Sequence, residues 1–279
     1  MDTNGTRAEK RCGMYNFDIE FSAMDGEKTT SLDYTSFSTV DLDTPLLETA
    51  GLSLKFENTL KQLDVKPMEG KFVGTLVLDP GMTRWLFVDN LTNMISGSSA
   101  LEKTSIYLDK VNQKIADERL SIVYDEEDER VLGTSILTGD GFKTEKFTLL
   151  DKGVLKSFVG DLMVENKTGF KHALNNLEGL KVLPGEKSIR DIIKGIDKGL
   201  YCGGFSGGQP GINGEFSGVA KNSFLIENGE ITTAVTETMI SGNINDMLNA
   251  LVDISAETVC DGNAIVPYTA FEGITVSGK

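Results

Sequence analysis

The sequence predicts an α+β fold that is β-rich, with mainly antiparallel sheets and a few helices. Three observations predict it. Asn228-Gly229 separates two strand-like runs, residues 223–227 and 230–235. An Asn-Gly pair between strands is a strong hairpin signal, because both central turn positions take φ > 0. Asp151-Lys152-Gly153 separates a second pair, residues 147–150 and 154–159, again as a hairpin. Finally, the short strands follow one another without the βαβ rhythm that builds parallel sheets.

Taken in order, Tyr15, Phe17, Ile19 and Phe21 alternate with Asn16, Asp18 and Glu20, the period-2 pattern of a half-buried strand. Asn4-Gly5 reads as a turn ahead of it. Leu46, Leu47, Ala50, Leu54, Leu60 and Leu63 recur at helical spacing, interrupted near Gly51. Residues 70–78 read as a strand closed by Asp79-Pro80-Gly81. A helix over 82–94 follows and ends at Ile95-Ser96-Gly97. Residues 98–109 read as a polar loop around the short apolar run Ile106-Tyr107-Leu108. Residues 120–124 form a strand that runs into the acidic residues 125–129.

Residues 168–183 read as irregular. Ser188 caps a helix with Asp191 in its first turn and Ile189, Ile192, Ile193, Ile196 and Leu200 on one face. Residues 203–214 read as a glycine-rich loop, and Gly214-Glu215-Phe216-Ser217-Gly218 as a glycine-flanked turn. Ile244, Met247, Leu248, Leu251 and Val252 predict a helix capped by Asn243 or Asn245. Residues 264–267 and 274–276 are strand-like. No repeat, low-complexity tract or Pro/Ser linker divides the chain, so residues 1–279 are expected to form one domain.

Composition narrows the function classes. The chain is 39% hydrophobic and 25% charged, ordinary for a globular protein. No apolar run approaches the roughly 18 residues of a membrane span. The first residues lack the apolar core of a secretory signal. Cys12, Cys202 and Cys260 are sparse and distant, which suits a reducing compartment. A cytoplasmic protein is expected. The net charge of −15 repels phosphate backbones and argues against nucleic-acid binding.

Few side chains suit catalysis. His172 is the only histidine and has no partner at ligand spacing, whereas catalytic zinc sites use three protein ligands. Residues 125–129 lack the alternating oxygens and central glycine of a calcium loop. Gly203-Gly204-Phe205-Ser206-Gly207-Gly208 lacks the Lys-Ser/Thr of a phosphate-binding loop. No Cys/His pair supports nucleophilic catalysis.

A resemblance adds to this reading. The turn Gly214-Glu215-Phe216-Ser217, then residues 224–231 (FLIENGEI), then Ile240-Ser241-Gly242-Asn243 followed by Asp246-Met247-Leu248 resemble the C-terminal part of the TldD/PmbA (TldE) family. That family is known as a modulator of DNA gyrase and as a peptide-maturation metalloprotease. The resemblance implies that a further N-terminal α/β domain of the family is absent here, since Thr3-Asn4-Gly5 matches a turn that follows it. It also implies where a zinc site would lie. Catalytic members hold zinc with a His-Glu-x-x-x-His helix and a late cysteine, the glutamate taking a proton from the bound water.

Carried over residue by residue, those motif positions hold Val88, Asp89 and Asn93, and Cys260 matches the late cysteine. Valine has no lone pair and asparagine is a poor zinc ligand. The resemblance therefore implies no metal bound and no catalytic residue in this chain. It implies a PmbA/TldE-like non-catalytic subunit whose zinc is supplied by a homologous partner bearing the histidine motif. Its substrates would be unfolded or leader peptides, with Gly204, Gly207, Gly208, Phe216 and Ser217 as substrate contacts. Two alternatives stand beside it. One is a homodimeric peptide-binding or scaffold protein without proteolytic activity. The other is an unusual metal site assembled from Cys260, Asp89 and His172.

Overall fold

The computed structural model describes residues 5–278. The turn expected at Asn4-Gly5 lies partly outside them. The chain opens with β1 (Tyr15–Phe21), the two-residue strands β2 (Met24–Asp25) and β3 (Lys28–Thr29), and β4 (Asp33–Thr39). β1 and β4 pair antiparallel as a separate two-stranded sheet. Phe17, Ile19 and Phe21 are half-buried and their polar neighbours exposed, as the alternation predicts. A 3₁₀ turn (Leu46–Glu48) and α1 (Leu52–Lys61) follow, separated at Gly51, whose φ is 72°.

Next come β5 (Lys66–Pro67), β6 (Lys71–Leu78) and one helical run over 80–94, made of α2 (Pro80–Met82), a π-helical segment Thr83–Val88, and α3 (Asp89–Met94). Then come α4 (Gly97–Glu102), β7 (Ile122–Tyr124), β8 (Phe147–Asp151), β9 (Val154–Leu155), α5 (Leu162–Thr168), β10 (Leu180–Val182) and α6 (Ile189–Lys194). The chain ends with β11 (Lys198–Ser206), β12 (Glu215–Glu227), β13 (Glu230–Thr236), β14 (Thr238–Asn243), α7 (Ile244–Met247), β15 (Leu251–Cys260) and β16 (Ala264–Ser277).

Five of these strands close on themselves. β11 pairs with β12, β12 with β14, β14 with β16 and β16 with β6, all antiparallel. β6 then pairs with β11 in parallel. The long strands make closure feasible. β12 meets β14 with its first half and β13 with its second. β16 meets β15 first and β14 last. A closed ring leaves no edge. From it the sheet opens outward through β10, β7, β8 and β9 on one flank and β13 and β5 on the other. Parallel pairs among the named strands are confined to β6–β11, β10–β16 and β5–β13, so the sheet is mainly antiparallel.

Both faces of the central strands are covered. Leu76, Leu78, Leu200, Phe216, Ile240, Ile274 and Val276 pack in one core with Leu86, Phe87, Leu91 and Met94 of the 80–94 run. Val77, Tyr201, Phe224, Ile226 and Ala270 pack on the other face against Ile192, Ile193 and Ile196. Burial on two faces explains why 76–78 and 200–202 are continuous apolar runs rather than alternating ones. At Gly242 a Cβ would come within 2.9 Å of the Phe216 ring and 2.7 Å of Ile274 Cδ1, so a side chain there would have to displace both.

Both predicted hairpins are present. Asn228 and Gly229 have φ of 51° and 81°, and a Cβ on Gly229 would approach the Lys194 carbonyl to 2.7 Å. Ser188 caps α6 by accepting a hydrogen bond from the Asp191 amide.

Other expectations are corrected. Residues 98–102 of the expected polar loop are helical, within α4, because Ser96 caps that helix through the Ser99 amide. The irregular stretch 168–183 contains β10, held between β7 and β16. Leu200 lies in β11, since α6 stops at Lys194. Residues 203–206 are strand rather than loop: Gly203 and Gly204 pack closely on β12. Residues 215–218 are likewise strand, paired with β14. The helix expected over 244–252 is the single turn α7, capped by Asn243, and Leu251 and Val252 belong to β15. Residues 264–276 form one strand with a bulge rather than two. The second strand of the 151–154 hairpin ends at Leu155.

Candidate functional site

A cleft of about 640 Å³ opens between β4, the 80–94 helical run, the glycine-rich end of β11 and the turn after β15. Its position follows from local structure. Asp79, buried, accepts a hydrogen bond from the Met82 amide at 2.7 Å and starts the helix, with Pro80 in the first turn. The helix then widens. The Asp89 amide bonds back to the Arg84 carbonyl, five residues away. The Asn90 side-chain amide donates to the Trp85 and Leu86 carbonyls at 2.9 and 3.0 Å. Such π segments often mark functional sites. Here Arg84, Trp85 and Asp89 all line the cleft.

The charged centre is compact. Arg84 Nη1 donates to Asp261 Oδ2 at 3.0 Å. Burial pushes the Asp89 carboxyl above its ordinary value, against the opposing pull of the Arg84 guanidinium, and the nearby Asp261 carboxylate adds to the rise. Below Asp89, Thr92 and Tyr124 share a hydrogen bond of 3.0 Å, and burial raises the Tyr124 hydroxyl to about 12. The walls are aromatic and glycine-lined: Trp85 and Phe205 lie 6.1 Å apart, centroid to centroid, beside Gly203 and Gly204.

The third wall is a strand edge. β4 has β1 on one side only, and residues 32–36 line the cleft. No strand pairs with their outer edge among the described residues. An open edge of this kind can accept an extended chain through backbone hydrogen bonds.

The positions to which the resemblance carries the zinc motif can be set against this geometry. Val88 is fully buried in the core and offers no donor. Asn93 is exposed on the helix. Asp89 is the one carboxylate of the three, and a guanidinium already stands beside it. Cys260 is partly buried, its Sγ donates to the Arg130 carbonyl at 3.4 Å, and burial raises its thiol pKa. A thiol so held is a weak ligand, since the thiolate binds metal. These residues do not fit a zinc ion.

His172 belongs to a different neighbourhood. Its Nε2 lies 3.3 Å from Asp140 Oδ2, and its ring meets Phe142 edge-on at 5.0 Å. Among the described residues no three of His, Cys, Asp and Glu gather as a metal-ligand group, so Cys260, Asp89 and His172 do not converge.

The five expected substrate contacts fall in separate places. Gly204 lines the cleft just described. Gly208, Phe216 and Ser217 line another concavity, with Asn243 and Asp246. Gly207 lines neither and turns the chain at φ 74°. Sequence reasoning missed Arg84, Asp261 and the β4 edge. Asp261-Gly262 carried a turn signal, but nothing in the spacing of Arg84 and Asp261, far apart in sequence, marks them as partners.

No described helix is long and apolar enough to cross a membrane.

Comparison with known proteins gives these features a setting. Residues 70–278 match the model of the PmbA/TldA metallopeptidase C-terminal domain. A metalloprotease TldD homologue of Buchnera aphidicola is 25% identical over 217 residues, covering 73% of this chain and 43% of the relative. The metalloprotease PmbA of Escherichia coli O157:H7 is 27% identical over 169 residues, covering 59% and 37%. The chain thus spans less than half the length of these two relatives.

Among solved structures, a protein from Bacteroides thetaiotaomicron described as a candidate modulator of DNA gyrase superposes with a TM-score of 0.86 at 28% identity, over 99% of this chain and 63% of that one. TldE from Thermococcus kodakarensis shares the fold, with a TM-score of 0.78 at 23% identity over 95% and 63%. Most of the sequence matches the family model and nearly all of the fold matches a solved neighbour, so the chain belongs to the PmbA/TldD family.

Proposed function

We propose that this chain is a PmbA/TldE-like, non-catalytic subunit that holds extended peptides for a zinc metallopeptidase complex. The observation that carries the reading is the chemistry at and beside the cleft. At the positions to which the resemblance carries the zinc ligands stand Val88, buried in the core, Asp89, which lines the cleft, and Asn93 on the helix surface, with the Arg84–Asp261 pair alongside. A peptide can lie along the open edge of β4, with Trp85 and Phe205 accepting its side chains. Backbone pairing of this kind is indifferent to sequence, which suits unfolded and leader peptides. Zinc and the attacking water would come from a homologous chain carrying His-Glu-x-x-x-His, in the cytoplasm. The relatives' names as metalloproteases support this reading.

The test uses the purified chain without added metal. Zinc per protomer is measured by elemental mass spectrometry, and cleavage of an unfolded peptide is followed with and without a histidine-bearing homologue. The expected result is no stoichiometric zinc, no cleavage alone, and cleavage in the mixture that exceeds the homologue alone. Stoichiometric zinc that survives dialysis overturns the proposal. A homodimer that binds peptide but never changes the homologue's activity would establish the scaffold alternative instead.

A further inference from the structure

A second groove, of about 900 Å³, shares no lining residue with the cleft. Leu54, Asn58 and Lys61 of α1 form one wall, and Ile189, Arg190 and Ile193 of α6 another. Residues 229–234, at the start of β13, run along it. β13 has β12 on its inner side, but on its outer side β5 reaches only Val235 and Thr236. Residues 230–234 therefore have no strand on their outer edge among the described residues, and Ile231 stands 44% exposed there. Natural sheets usually cover or charge such an edge.

Two features set this groove apart. The first is its floor. Tyr268 is nine-tenths buried and lines the groove, yet its hydroxyl makes no hydrogen bond among the described residues. No solvent-inaccessible side-chain polar atom in the described structure lacks a partner, so this hydroxyl is open to solvent. A tyrosine so placed offers an apolar body and an unused polar tip. Tyr201 and Phe224, 6.1 Å apart, lie beside it.

The second feature is charge. The chain carries a net charge of −15, yet Lys61, Lys66, Arg190 and Lys194 all border this groove, against the carboxylates Asp64 and Glu230. Asp64 is already engaged by Lys28, and Lys194 by Asp191 at 2.7 Å. Lys61, Lys66 and Arg190 make no ion pair among the described residues. A cationic rim on an acidic protein is local complementarity, and it steers an anionic partner to this place.

We propose that this groove docks an extended, acidic segment of another protein, which adds as a strand to the outer edge of β13. Alternate side chains of such a segment would point to the aromatic floor and to the cationic rim, as the two-residue period of a strand requires. The proposal concerns a surface that shares no lining residue with the peptide cleft and stands whether or not that cleft serves a metallopeptidase.

The test is fluorescence anisotropy with a labelled Glu-Val-Glu-Ile-Glu-Val peptide. Its controls are the Lys-for-Glu counterpart and an acidic peptide N-methylated at alternate residues. The acidic peptide is expected to bind, to weaken at high salt, and to weaken at least about tenfold in the double variant Lys66→Glu, Arg190→Glu. Both control peptides are expected not to bind. Both substitutions are at exposed positions, and circular dichroism verifies the fold. Equal binding of the acidic and basic peptides overturns the proposal. So does acidic-peptide binding that survives N-methylation or the double variant, and so does no binding at all. If the double variant instead dissociates a homodimer and the peptide never binds, the groove is filled by a second copy of this chain and the proposal fails.

Discussion

The five-stranded ring and the β1–β4 sheet are built from similar residues and held in different ways. In the ring every strand has two neighbours, and Leu76, Ile240, Val276 and Phe271 are fully buried. In the outer sheet each strand has one neighbour, Leu32 and Tyr34 are mostly exposed, and Phe37 is the buried anchor, stacked on Phe17 at 5.1 Å. Isolated two-stranded sheets are marginal in water. The comparison teaches a division of labour. Cohesion is concentrated where edges are absent, and the open edge with its exposed apolar side chains is kept for the cleft.

That contrast can be broken at its strongest point first. Phe271 lies 4.7 Å from Phe87 and is fully buried. Phe271→Ala should cost about 3–5 kcal/mol, read as a lower urea midpoint of global unfolding. A loss under about 1 kcal/mol would show that the ring is not the cohesive unit. Gly242→Val should cost about 1–3 kcal/mol by overpacking, because its side chain would press on Phe216 and Ile274. A neutral result would mean that the ring interior yields more than close packing permits.

The flank where the sheet opens outward gives an intermediate effect. Asp128 accepts hydrogen bonds from the Arg130 side chain and, at 2.8 Å, from Lys181 of β10. Arg130 beside it, with Lys181, holds its carboxyl well below the usual carboxylate range. A carboxyl depressed in the folded state stabilises the fold above its unfolded pKa of about 4, and that contribution is lost as pH falls toward the depressed value. Asp128→Asn should therefore cost about 1 kcal/mol at neutral pH. Urea titrations should show the gap between variant and wild type closing as the solution is acidified below pH ~4. A gap that persists in acid would assign the loss to packing instead.

The smallest effect belongs to the outer sheet. Tyr34 is 72% exposed, so Tyr34→Ser should change stability by less than about 0.5 kcal/mol. The same variant should weaken capture of an unfolded peptide if the β4 edge carries it. A large loss of stability with unchanged peptide binding would reverse the division of labour.

Local signals made much of this legible. The hairpin at Asn228-Gly229 needs nothing beyond two positive φ angles, and the cap at Ser188 needs one hydroxyl three residues ahead of Asp191. The helix read over 82–94 is present, but Asp79-Pro80-Gly81, read as the close of a strand, also starts it two residues earlier. Glycine misleads. At 203, 204, 214 and 218 its pattern reads as loop or turn, whereas Gly203, Gly204 and Gly218 serve close approach between strands. Propensity treats a glycine alike whether it bends a chain or makes room for a neighbour.

The sequence by itself determined the class of fold, the two hairpins and the cap at Ser188. These depend on neighbours within a few residues or on side-chain chemistry. Only the tertiary structure decided that β6 and β11 close a ring, that Leu251 leaves a helical pattern for a strand beside β16, and that Arg84 meets Asp261. Those outcomes bring together residues distant along the chain. They are selected by burial of whole faces and by partners that exist once the fold has formed.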